Sequence, residues 1–98
     1  MNKNDALDIL KGCRSELEER FGVVKIGIFG SAVRGEATEA SDVDVAVELD
    51  EAHKTMKNFL DLKRCLEEYF NREVDLGIES ALKPRVKKLV EKEIIYIH

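Results

Sequence analysis

Helices alternating with β-branched runs predict an α/β (α+β) fold, one mixed β-sheet of three to four strands packed with helices. Three observations carry this expectation. Apolar residues recur at helical spacing in two long segments, two other segments alternate with period two, and glycine or proline stands at the junctions.

Asn4 or Asp5 is placed to cap a first helix, whose apolar residues Ala6, Leu10, Cys13, Leu17 and Phe21 share one face and which Gly22 stops. Val23, Val24, Ile26, Ile28 and Phe29 form a run too short for a helix and apolar enough for a mostly buried strand that ends at Gly30. After one turn of helix and a loop through Gly35, Glu36, Thr38 and Ser41, Val43, Val45, Val47 and Leu49 alternate with Asp42, Asp44, Ala46 and Glu48 as a second strand. From about Lys54 to Asn71, Phe59, Leu62, Leu66, Tyr69 and Phe70 make the apolar stripe of the longest helix. Val74, Leu76 and Ile78 alternate with Asp75 in a third strand. Pro84 opens a helix with Val86, Leu89 and Val90 facing inward, and Ile94 to Ile97 form a last edge strand.

The chain has 98 residues, the size of one domain, so residues 1–98 are expected to fold as a single unit with a modest core and a shallow site. Sixteen Lys and Arg against twenty Asp and Glu give a net charge of -4, the wrong sign for holding nucleic acid by phosphate neutralisation. No apolar run approaches membrane-spanning length and the N-terminus lacks a signal-peptide core, so a cytoplasmic location is expected. Cys13 and Cys65 match no metal-ligand spacing and read as free buried thiols. Lys83, Arg85, Lys87, Lys88 and Lys92 read as a solvated helix face, or else as a docking surface for an acidic partner or for phosphates. His53 and His98 suggest no role. Tyr69 and Tyr96 read as packing or edge residues, either of which could serve as a self-modification acceptor.

The chemistry concentrates in Gly30-Ser31-Ala32-Val33-Arg34-Gly35 and Ser41-Asp42-Val43-Asp44-Val45. A strand that ends in Gly-Ser and turns into a helix gathers main-chain N–H groups and a hydroxyl at one point, where Gly30 admits an anion close to the backbone. Arg34, one helical turn beyond Ser31, reaches toward the same anion. Taken alone, this reads equally as a tight strand exit with a surface arginine. Asp42 and Asp44 leave the same strand face about 6.6 Å apart. Like charges so held call for a cation, and oxygen donors without His or Cys select a hard ion, Mg²⁺ or Mn²⁺. A solvated strand start would not explain why both are carboxylates. Asp75 is a third acid, on a strand that can lie beside the second; it can ligate an ion or take a proton from an attacking hydroxyl, or it is an acid at an exposed strand end.

Gly-Ser, ten residues, then Asp-x-Asp recurs by chance in such a chain on the order of once in several hundred. Neither a P-loop nor a G-x-G-x-x-G unit is present. On these residues the chain resembles the minimal nucleotidyltransferases of the DNA polymerase beta-like superfamily, from the first strand to Asp75. The resemblance implies that fold, with Asp42, Asp44 and Asp75 catalytic and metal-binding and with Gly30, Ser31, Arg34 and Ser41 nucleotide-binding. It also implies Mg²⁺ (or Mn²⁺) dependence and transfer of a nucleoside monophosphate from ATP or another NTP to a hydroxyl.

Small free-standing members are often paired with a helical HEPN partner, and several act as antitoxins that adenylylate it. Because the chain ends soon after Asp75, the acceptor pocket is expected to come from such a partner. The alternatives are a stoichiometric, non-catalytic antitoxin, or a homodimeric aminoglycoside-type nucleotidyltransferase whose chains complete each other's site.

Overall fold

The computed structural model describes residues 2–36 and 42–97. In chain order the elements are α1 (Lys3–Phe21), β1 (Val23–Phe29), α2 (Ser31–Arg34), β2 (Val43–Leu49), α3 (Met56–Phe70), β3 (Val74–Ile78), α4 (Pro84–Glu93) and β4 (Ile95–Tyr96). Single 3₁₀ turns at Glu51–His53 and Glu79–Ala81 join β2 to α3 and β3 to α4.

Helix α1 begins two to three residues before the sequence-based position, because Asn2 and Asp5 close a reciprocal capping box. Gly22, in the left-handed region, ends it as expected. Thr55 caps α3 by accepting a hydrogen bond from Asn58 N–H at 3.1 Å.

The strands form one mixed sheet in the order β3-β2-β1-β4. The pairs β1–β2 and β1–β4 are antiparallel, and β2–β3, joined through α3, is parallel. One face is the core. Ile26 and Ile28, Val43, Val45, Val47 and Leu49, and Val74 and Leu76 pack there against Ala6, Leu10, Leu17 and Phe21 of α1 and Leu62, Leu66 and Phe70 of α3. Cys13 and Cys65 join this core as free thiols, and burial drives the Cys13 thiol up to about 11, which makes it inert.

The other face carries Phe29, Asp44 and Asp75 in one row and Gly27, Ala46 and Gly77 in the next. The chain after β3 closely approaches the two glycines of that second row. A Cβ on Gly27 would stand 2.6 Å from the Ile95 carbonyl oxygen, and one on Gly77 would stand 3.2 Å from Leu82.

One expectation is corrected. Only Val90 of α4 is buried, whereas Val86 and Leu89 are 42% and 60% exposed, because no described element covers that side of the helix. Strand β1 is mostly buried as expected, although Val24 points to solvent where the strand is irregular beside Val23.

Candidate active site

The alternation that sends the β2 valines into the core sends Asp44 to the opposite face. In-register parallel pairing sets Asp75 beside it on the neighbouring strand, about 4.8 Å away by sheet geometry. Asp42 is exposed where the chain enters β2, two residues from Asp44 and near enough for its charge to act on that carboxylate. All three acids named from the sequence therefore meet at one end of one sheet face. Ser41 lies outside the described residues.

Gly30 closes the site from the next strand. Phe29 is the antiparallel partner of Asp44, so the turn that leaves β1 arrives beside that carboxylate. Gly30 has φ +73°, and a Cβ there would fall 2.0 Å from Asp44 Oδ2. Both the backbone angle and the contact require glycine. The Gly30 carbonyl accepts hydrogen bonds from Val33 and Arg34 N–H at 3.1 and 3.2 Å, which starts α2 with Ser31 as its first residue. The Gly-Ser turn and the acids thus come together as the sequence predicts.

The charge is lopsided. Burial is the main influence raising the Asp44 pKa above the ordinary value, and Asp75, Asp42 and Glu93 push it in the same direction while Arg34 opposes them. Arg34 is already engaged. Its Nη1 donates to Glu93 at 2.9 and 3.1 Å, and its Nε donates to Glu36 at 3.2 and 3.3 Å. Glu93 Oε1 also accepts the Gly30 N–H at 3.0 Å. Sequence reasoning missed Glu93: it lies 63 residues from Gly30, at the end of a basic helix, and no local pattern marks it.

Among the described residues, no three His, Cys, Asp or Glu side chains form a ready-made metal cage. Mg²⁺ does not need one, since it commonly takes one or two carboxylates and fills its shell with water and substrate phosphate. The donor set fits such an ion: every candidate is a carboxylate oxygen, and the charge on Asp44 is poorly offset. A cleft of about 590 Å³ lies elsewhere, between α1 and α3, lined by Glu16, Arg20, Arg64 and Tyr69 among others and by none of the predicted site residues.

Tyr69 is 44% exposed and donates to Glu16, while Tyr96 donates to Glu79 at 2.7 Å. His53 Nδ1 lies 2.7 Å from Asp50, in the turn before α3. Among the described residues, no helix is long and apolar enough to cross a membrane.

Comparison with known proteins agrees with this fold. The protein adenylyltransferase MntA of Thermococcus cleftensis is 46% identical over 89 residues, covering 91% of this chain and 89% of that protein. A solved structure provisionally described as a minimal nucleotidyltransferase superposes with a TM-score of 0.75 at 36% identity, covering 97% of this chain and 95% of the other. A crystal structure of the toxin–antitoxin pair MntA–HepT matches with a TM-score of 0.62 at 18% identity, over 97% of this chain and 68% of that one, and attests the fold. The model of the nucleotidyltransferase domain matches residues 10–97, and the chain belongs to that family.

Proposed function

We propose that this nucleotidyltransferase moves AMP from ATP to a hydroxyl on a partner protein, with Mg²⁺, and serves as the antitoxin of a HEPN-type pair. The observation that carries the transfer reading is the in-register pair Asp44 and Asp75, with Asp42 alongside, against the Gly30–Ser31 turn. The protein acceptor is supported by 46% identity to a protein adenylyltransferase.

Asp42 and Asp44 are the residues that would hold Mg²⁺, which when bound neutralises triphosphate oxygens. Ser31 and the main chain beside it seat the phosphates. Asp75, on the outer strand, is placed to orient the acceptor hydroxyl and take its proton. The acceptor oxygen attacks the α-phosphorus, the bond to the β-phosphate bridging oxygen breaks, and pyrophosphate leaves. Holding the reactants in line supplies much of the acceleration.

The test incubates the chain with labelled ATP, Mg²⁺ and the product of its neighbouring gene. Label on that protein is the expected result. Full inhibition of the partner without label would replace the proposal with stoichiometric masking. Label on a small acceptor such as an aminoglycoside, by a dimer of the chain, would replace it with a small-molecule activity.

A further inference from the structure

Glu93 is the last residue of α4, yet its carboxylate reaches the turn at the end of β1. One oxygen accepts from both the Gly30 N–H and Arg34 Nη1, at 3.0 and 3.1 Å, and the other accepts from Arg34 Nη1 at 2.9 Å. The main-chain donor and the cation that the sequence offers to an incoming anion are thus joined by an internal carboxylate. The same glycine touches Asp44 on its other side, where a Cβ would overlap Oδ2. Gly30 is therefore gripped between an acid of the site and an acid of α4.

Such a grip has a geometric consequence. A glycine at φ +73° can relax through many backbone angles, and an acceptor for its N–H narrows that freedom. Glu93 supplies that acceptor, and Arg34 fixes Glu93 through a charge-assisted contact. The ion pair is half-exposed at Arg34 and partly exposed at Glu93, 46% and 27% of the side chains, so its value lies in the geometry it fixes more than in the strength of the charge attraction.

We propose that Glu93 is a positioning residue for nucleotidyl transfer: it orients the Gly30 peptide, and through it Ser31, toward the phosphates, and Arg34 acts through Glu93 rather than on the nucleotide. This inference rests on the nucleotidyl-transfer reading above. It goes further by assigning α4 a part in the site and by changing the role of Arg34.

The test measures binding of ATP with Mg²⁺ by calorimetry on the full chain, together with amide exchange at Gly30, for the wild type, Glu93→Gln, Glu93→Ala, Arg34→Ala and the double alanine variant. A thermal melt verifies that each is folded. Glu93→Ala should weaken nucleotide binding about tenfold, the usual scale for losing a hydrogen bond to a charged group, and speed Gly30 exchange. Glu93→Gln keeps an oxygen acceptor and should stay within about threefold of the wild type on that scale. Arg34→Ala should resemble Glu93→Ala, and the double variant should be no worse than either, since both act through one contact.

Glu93→Ala that binds as well as or better than a binding wild type overturns this inference alone. Arg34→Ala with a much larger loss, additive in the double variant, overturns the indirect role of Arg34. A wild type that binds no ATP with Mg²⁺ overturns the nucleotidyl-transfer reading, and this inference with it.

Discussion

The face of the sheet opposite the core carries acids at both ends, and the two ends treat them differently. At the far end, Glu48 accepts from Ser80 N–H and Oγ, both at 2.9 Å, and meets Lys54 at 3.2 Å. Glu79, buried, accepts from Tyr96 at 2.7 Å and faces Lys25 at 3.5 Å, and Lys25 in turn sits over the Tyr96 ring. At the near end, Asp44 is surrounded mainly by other acids, and the one opposing cation among its described neighbours, Arg34, is shared between Glu93 and Glu36. A carboxylate whose partners are built into the chain is part of the structure. A carboxylate set among its own kind depends on something from outside, and that difference separates the site from a merely acidic surface.

The sharpest way to break this contrast is Asp44→Asn. If Asp44 holds Mg²⁺ as proposed, the change removes several kcal/mol of transition-state charge stabilisation, and transfer of labelled AMP should fall on the order of a thousandfold or more. The same change relieves repulsion, so without divalent ions the variant should melt higher than the wild type at neutral pH. Lower thermal stability with transfer retained would reverse the reading of the near end. Gly30→Ala ranks next: a left-handed alanine costs about 1–3 kcal/mol and its methyl group overlaps Asp44, so both stability and transfer should fall together. At the far end, Glu79→Ala strands the Tyr96 hydroxyl and should cost about 2 kcal/mol in chemical denaturation, with transfer per folded molecule unchanged.

Much of this was legible in the sequence, for identifiable reasons. Period two in β2 sends Asp44 to the face opposite the valines, with Asp42 just ahead of the strand, and Gly30 carries its own backbone demand. Strand register is not local. That Asp75 meets Asp44 depends on where α3 returns the chain, which spacing alone does not fix. The helical stripe of α4 announced an apolar face, but a stripe does not say whether a second layer exists to cover it, and Val86 and Leu89 stayed out. Glu93 was hidden for the same reason as Asp75: its contact forms only after the sheet closes, between residues far apart in the chain.

The smallest effect distinguishes the two ends by its sign. Burial pushes the Glu48 carboxyl up, but the bonds from Ser80 and Lys54 more than reverse this, so its folded pKa lies below the ordinary 4.5. Its stabilising contribution is therefore present above that value and is lost as pH falls through the lowered folded pKa. Asp44 runs the other way. Its folded pKa lies above the ordinary 3.8, so ionisation weakens the fold as pH climbs from that value through the raised one, and acidification over the same interval restores stability. Melting temperatures of the divalent-free chain should thus respond oppositely to two isosteric changes. Glu48→Gln should lower the melt at neutral pH and converge on the wild type in acid, whereas Asp44→Asn should raise it at neutral pH and also converge in acid. Parallel curves for the two variants would mean that the near-end acids are satisfied within the chain after all, and the case for an external cation would lose its electrostatic basis.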